Sequence, residues 1–312
     1  MLSGQCYDET GKSCKPQGKL VKMHFTRISR LASKGASQMR AWQVQSPGES
    51  LQLKTVSMPI LTKPNQVLIE VKAASVNPVD TVMVKGYGQE ILGMWKKVAD
   101  CDSKASRFPL IAGRDCSGVV EAIGGGVKGL RLGDEVMAVV PAIWPGSHAE
   151  YVVTEESCCA TKPKNLDFAQ AAAMPYVANT AWAALVSVAR MNPRKKPNER
   201  VLIHGGSGGL GTMAIQMLKA WGVGKVVATC SSENADVVRK LGGIPVDYRA
   251  ADVRDKLIDE GPFEVILDCV DTELARWSDQ SALRGRWYSY AFFVPNQECM
   301  KQLSQFATEG KV

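Results

Sequence analysis

Apolar and polar residues follow two different rhythms along this chain. From about residue 40 to 155, short apolar runs rich in β-branched residues are cut by glycine and proline. Val67-Leu68-Ile69-Glu70-Val71 is one such run. Residues 117–123 form a second and end in Gly124-Gly125-Gly126. Residues 135–140 form a third, entered through the turn dipeptide Gly133-Asp134. Runs of this length and punctuation predict strands and turns in a small β-rich domain.

After Lys164 the rhythm changes. Residues 168–191 read as a helix, uncharged as far as Ala189. Gln170, Asn179 and Thr180 interrupt its apolar surface and Pro175 breaks it, so a buried core helix is expected rather than a membrane span. A polar linker follows at 192–200. Strands and helices then alternate: strand 201–204, helix 210–221, strand 226–230, helix 235–241, strand 244–248, helix 253–259, strand 263–269. That order predicts a doubly wound α/β unit, a parallel sheet with crossover helices.

A chain of 312 residues has room for two domains, and 45% apolar with 22% charged residues is ordinary globular usage. Nine cysteines contain no Cys-x-x-Cys pair, and Cys158-Cys159 are adjacent. Disulfide scaffolds, zinc ribbons and thioredoxin-type sites are disfavoured, and free thiols in a reducing compartment are expected.

The net charge of +7 is concentrated at the amino terminus. Residues 1–40 hold eight Lys/Arg against Asp8 and Glu9, whereas the rest holds 30 basic and 29 acidic groups. The body is therefore nearly neutral, which argues against a nucleic-acid surface. Residues 23–48 contain no acidic residue. Arg27, Arg30 and Lys34 recur at helical spacing, with Phe25, Ile28 and Leu31 on another side. Such a stretch has the composition of a mitochondrial transit peptide, with Met1 or Met23 as the start, and fits a disordered basic tail as well.

The sharpest chemical signal is Gly205-Gly206-Ser207-Gly208-Gly209-Leu210-Gly211. Gly206, Gly208 and Gly211 satisfy G-x-G-x-x-G between an apolar strand and an apolar helix, the setting that dinucleotide binding requires. Backbone N–H groups of Ser207, Gly208, Gly209 and Leu210 would face a pyrophosphate at the helix N-terminus. About twenty residues on, where NAD sites place a carboxylate for the ribose diol, stands Thr229-Cys230-Ser231-Ser232. Hydroxyls there tolerate a 2′-phosphate, which favours NADPH; Glu233 nearby opposes it. Ser231 and Ser232 also fit a simple helix cap.

These features together resemble the zinc-free quinone oxidoreductase branch of the medium-chain dehydrogenase/reductases. The stretches that carry the resemblance are residues 71–80, 113–120, 133–136 and the glycine turn. Finer ones resemble a mitochondrial, reticulon-interacting group within that branch: Lys85-Gly86-Tyr87-Gly88, Phe108-Pro109-Leu110, Met174-Pro175-Tyr176-Val177-Ala178, Met217-Leu218-Lys219-Ala220-Trp221 and Tyr288-Ser289-Tyr290-Ala291-Phe292-Phe293. The basic presequence or tail takes 1–39, and over the rest the resemblance implies a GroES-like catalytic domain at 40–165, a Rossmann domain at 166–312, and a cofactor cleft between the domains. It implies Asn77, Asp80 and Tyr87 on the substrate side, Thr180 near the nicotinamide ribose and Tyr248 near the adenosine. Asn77-Pro78 also reads as an ordinary turn, Asp80 as its cap, and Tyr87 as a loop anchor. A matrix enzyme, a reticulon-type membrane-protein partner and a homodimer are further implications. Where metal-dependent relatives carry Gly-His-Glu, this chain has Gly113-Arg114-Asp115, and its only histidines are His24, His148 and His204. No metal site is expected.

Two departures bear on activity. Leu267-Asp268-Cys269-Val270-Asp271 stands where the family has Asp-Asn-Val-Gly, so Cys269 replaces an asparagine that helps hold the cofactor, and the following glycine is absent. Between Trp277 and Tyr288 only about ten residues intervene, too few for a strand and a crossover helix. A shortened form with an incomplete Rossmann sheet is expected, with reduced stability and weak turnover. Two functions remain in view: a zinc-independent NADPH-dependent oxidoreductase acting on a quinone or an activated alkene or carbonyl, linked to ubiquinone metabolism, and a catalytically impaired NADPH-binding or protein-interaction form.

Overall fold

The computed structural model describes residues 37–99, 106–195, 198–271, 273–274, 277, 289 and 291–312. The expectations for the basic segment 1–36 and for residues 278–288 lie outside the described residues.

The first half is antiparallel. Strand β1 (Gln38–Val44) pairs with β2 (Gln52–Ser57) on one side and β4 (Leu110–Ile111) on the other. Its alternation turns Met39 and Ala41 inward, as period two requires, and at the strand end Val44 is buried out of that phase. A second sheet runs in the order β7-β3-β5-β6-β8, from Tyr151–Glu155, Gln66–Ala74, Asp115–Ile123, Glu135–Val139 and Cys159–Thr161. The expected runs at 67, 117 and 135 are therefore strands of one sheet. The stretch read as strands and turns also holds two helices, α1 (Pro78–Val84) and α2 (Gln89–Ala99). Helix α1 is short and carries Val79, Thr81, Val82 and Val84, whose β-branching mimics a strand. Helix α2 has Gly93 in its interior and an apolar stripe that faces away from the core.

The uncharged run is a broken helix: α3 (Phe168–Ala172), then α4 (Pro175–Trp182), continuing as a π-helical stretch over Ala183–Val188. It has the length and hydropathy of a span, yet 61% of it is buried. Ala178, Ala181, Trp182 and Leu185 pack into the main core.

The second half is a parallel sheet in the order β11-β10-β9-β12: Ile244–Asp247, Lys225–Cys230, Arg200–His204 and Val265–Asp268. This is the 3-2-1-4 order that begins a Rossmann sheet. Helices α5 (Gly209–Ala220), α6 (Ala235–Lys240) and α7 (Val253–Glu260) are its crossovers. Among the described residues no strand pairs with the outer edge of β12. The fold class is thus GroES-like plus Rossmann, with four strands in the Rossmann sheet among the described residues. Helix α8 (Gln297–Thr308) closes the chain against both halves. The Asn296 N–H donates to Asn179 Oδ1 (2.7 Å), Ser304 Oγ donates to the Thr161 carbonyl (2.7 Å), and Trp221 Nε1 donates to Gln302 Oε1 (3.1 Å). One core, with Met137 and Val139 from the first half and Ile203, Ile215 and Met300 from the second, joins them.

Candidate active site

The glycine turn is built by close approach. Gly205 sits at φ +80, and its N–H donates to Thr229 Oγ1 (3.3 Å). A side chain at Gly206 would lie 2.5 Å from the Ala228 Cβ, and one at Gly211 only 2.2 Å from the Gly205 carbonyl oxygen. These two glycines seat α5 on the sheet. Gly208 differs: a Cβ there meets nothing nearer than that same oxygen at 3.4 Å, and at Gly209 nothing nearer than Val177 Cγ1 at 3.9 Å. Gly208 and Gly209 are exposed. The Gly208 N–H is taken by the Gly205 carbonyl (3.1 Å), so it is not the amide that grips an anion. The first-turn amides of Gly209, Leu210 and Gly211 have no intrahelical acceptor, and Ser207 lies beside them. An open anion cradle with two removable side-chain positions fits a pyrophosphate.

A second constellation is assembled from distant segments. Asp115 is fully buried at the start of β5. Its Oδ1 accepts from the Ser75 hydroxyl and from Asn77 Nδ2 (3.3 Å). Its Oδ2 accepts the backbone N–H of Tyr176 (3.2 Å), in the first turn of α4. Burial lifts this carboxyl to about 6; the Ser75, Asn77 and Tyr176 hydrogen bonds pull it back, and the Asp80 charge pushes it further up. Asp115 therefore ties the β-rich half to the helix that faces the glycine turn.

Asp80 is itself a cap. Its Oδ2 accepts the Asn77 N–H (2.8 Å) in a reciprocal capping box, while Oδ1 is buried without a hydrogen-bond partner. Arg114, at 1% exposure, donates Nη1 to the carbonyls of Pro141 (2.8 Å) and Trp144 (3.1 Å). Burial lowers its guanidinium to about 10, against the stabilising pull of Asp80. His148 places Nε2 2.8 Å from the Ser75 carbonyl oxygen. Among the described residues no three His, Cys, Asp or Glu side chains are grouped to hold a metal ion. Tyr87 is 65% exposed, and its carbonyl accepts from Arg107 Nη1 (2.7 Å), which anchors the loop through its backbone.

Helix α4 bridges the two constellations. The Tyr176 ring stacks on Phe293 (centroids 4.3 Å apart), and burial raises its hydroxyl to about 12. One turn on, the Thr180 hydroxyl donates to the Tyr176 carbonyl (2.8 Å), a bond within the helix. Thr180 is half-buried on the same element as Val177, which neighbours Gly209.

At the far end of the turn, Ser231 accepts from Asn234 Nδ2 (3.1 Å) rather than capping by its side chain. Glu233 is paired with Arg249 (3.3 Å). The Arg249 guanidinium also lies 5.3 Å over the Tyr248 ring and donates Nε to its hydroxyl (3.2 Å). Arg249 escaped the sequence reading; its one signal was its place directly after Tyr248. Cys269 is half-buried, its thiol pushed up to about 12 by burial and Asp268. Asp271 stands in the left-handed region at φ 50, where the resemblance implies glycine, and its N–H donates to Asp268 Oδ1 (2.9 Å).

Comparison with known proteins agrees with this geometry. Residues 63–164 match the alcohol dehydrogenase GroES-like domain, and residues 209–308 match the zinc-binding dehydrogenase domain. The Caenorhabditis elegans protein "Reticulon-4-interacting protein 1, mitochondrial" is 50% identical over 328 residues, covering 91% of this chain and 89% of that protein. The chain belongs to the medium-chain dehydrogenase/reductase family. A second relative in that family, the Homo sapiens "NAD(P)H oxidoreductase RTN4IP1, mitochondrial", is 36% identical over 346 residues, covering 96% of this chain and 87% of that protein. Both aligned stretches are longer than this chain, so the relatives carry residues inside the match that it lacks. Among solved family structures, the Coxiella burnetii quinone oxidoreductase is 27% identical at a TM-score of 0.62, covering 88% of this chain and 89% of that one.

Proposed function

We propose that this protein is a mitochondrial, zinc-independent, NADPH-dependent oxidoreductase that reduces a quinone or an activated alkene or carbonyl. The observation that carries the reading is the open glycine turn facing α4, whose first turn is pinned to Asp115, a carboxylate that Asn77 also holds. A bound reduced nicotinamide supplies the hydride; with one proton it converts a quinone to a hydroquinone.

The chain's own residues bind, orient and dry the site. Gly209, Leu210 and Gly211 hold the pyrophosphate through backbone amides, with Gly206 and Ser207 shaping the turn. Thr180 and Val177 flank the ribose and nicotinamide. Asn77, held against Asp115, and Tyr87, exposed at the loop, line the acceptor side. Arg249 neutralises Glu233, removing the objection that carboxylate raises to a 2′-phosphate, and with Ser231 and Tyr248 offers donors to it. The zinc-independent reading rests on Arg114 and Asp115: one is tied to carbonyls, the other to hydrogen-bond donors. A ubiquinone-related acceptor, a matrix location, a reticulon-type partner and a homodimer extend the same reading from the resemblance.

A second reading, an NADPH-binding form with impaired turnover, draws on the β12 edge that no strand pairs among the described residues, on Cys269 and on the residues missing relative to both relatives. Oxidation of NADPH against NADH with a panel of quinones and alkenals, with and without a metal chelator, separates the two. Chelator-resistant NADPH turnover is the expected result. Binding without turnover on every acceptor selects the second reading.

A further inference from the structure

Helix α2 (Gln89–Ala99) breaks the usual rule that an amphipathic helix buries its apolar stripe. Ile91, Met94, Trp95 and Val98 fall at i, i+3, i+4 and i+7, one continuous face. All four are exposed, at 58, 59, 58 and 74%. The helix is held to the fold through another side, where Leu92 packs with Val79, Met83 and Phe108. Exposed Lys85 precedes the stripe and exposed Lys97 lies in the last turn beside Lys96, with Glu90 the one acidic residue of the helix itself; Asp100 and Asp102 follow it in the sequence. Tyr87, also exposed, stands at the helix entry.

We propose that this face docks the protein on an anionic lipid bilayer, with α2 lying in the headgroup plane. An apolar stripe about 100° wide with Trp and Tyr at the surface suits the interface between headgroups and acyl chains. Flanking lysines complement anionic headgroups. The same lysines argue against a second copy as the occupant, because two such faces would bring like charges together. The docking goes beyond the oxidoreductase reading and does not depend on the acceptor. It would set the loop that carries Tyr87 at the membrane, where a lipophilic acceptor resides.

The test is co-sedimentation of the full chain with phosphatidylcholine vesicles, with and without cardiolipin, for the wild type, Ile91→Ser/Val98→Ser and Lys85→Gln/Lys97→Gln. These positions are on the surface, and a thermal melt verifies that each variant folds. Cardiolipin vesicles are expected to bind the wild type, less so at high salt. The apolar variant is expected to bind roughly tenfold more weakly, and the lysine variant to lose its preference for cardiolipin. Equal binding by the wild type and the apolar variant would assign the interaction to the basic amino-terminal segment and overturn the proposal. No vesicle binding would overturn it too, as would a dimer in sedimentation analysis that the apolar variant dissolves. NADPH turnover on a water-soluble quinone without vesicles reads the enzyme separately and is expected to match in wild type and variants.

Discussion

The glycine turn and the Asp115 cluster both meet α4 and are built in opposite ways. The turn is a contiguous run at the end of a central strand, and its fit depends on side chains being absent: Gly206 and Gly211 admit no Cβ. The cluster depends on side chains being present, and it draws Ser75, Asn77, Asp115 and the Tyr176 amide from three segments, with Asp115 61 residues from Tyr176. A binding site for a fixed ligand such as a pyrophosphate can be local, because backbone amides do the work. A cleft between halves has to be held by contacts that cross the fold. Breaking either should therefore give different signatures, in the nucleotide and in the coupling of the halves.

The largest effect is expected at Gly211→Val. Its Cβ would meet the Gly205 carbonyl oxygen at 2.2 Å and Gly206 backbone atoms under 3 Å. Overpacking against backbone should cost about 3 kcal/mol or more, read in a denaturant melt. A variant that melts like the wild type would show that α5 is not seated by this contact.

Asp115 comes next. The folded protein holds its proton more tightly than the unfolded chain does, with the carboxyl raised from 3.8 to about 6. Stability from this group is therefore lost as pH rises from about 4 to about 6, by on the order of 2–3 kcal/mol. Asp115→Asn should remove that fall and cost about 1 kcal/mol at low pH, where the Tyr176 N–H loses its acceptor. Melts at pH 4 and 7 check both. An unchanged pH profile would show that the Asp115 carboxyl is not the group whose titration lowers stability over this range.

Arg249→Ala probes the proposed site of the 2′-phosphate. It should weaken NADPH by about tenfold, roughly 1.4 kcal/mol, and leave NADH nearly unchanged. Equal losses for both would place the arginine away from a 2′-phosphate. The smallest effect concerns Asp271 at φ 50. Asp271→Gly should stabilise the protein by about 0.5–1 kcal/mol by relieving a left-handed residue, a shift visible in the melt.

The difference between the two constellations also explains what the sequence revealed. Val201-Leu202-Ile203, the glycines and the alternating elements after them express local patterns, and each strand expected there is in the sheet within two residues. Even Asp271 was legible as a missing glycine. The Asp115–Tyr176 tie was not, because no periodicity encodes which backbone amide a buried carboxylate meets across the fold. Helix α2 was missed for a related reason: its stripe has helical spacing, but the glycines at 86, 88 and 93 and the outward turn of the stripe hid it among turns. Arg249 needed the ends of β10 and β11 side by side before its pairing with Glu233 could be seen.

In the proposed function, backbone amides at the glycine turn grip a nicotinamide dinucleotide. Gly208→Val tests it most directly, because the added Cβ meets only one oxygen at 3.4 Å and the backbone there is extended at φ −78. In calorimetric titration with NADPH, paired with a melt of each protein, the account predicts an unshifted apo melt and affinity weakened by about a hundredfold or more. Wild-type affinity in a folded Gly208→Val protein would contradict it.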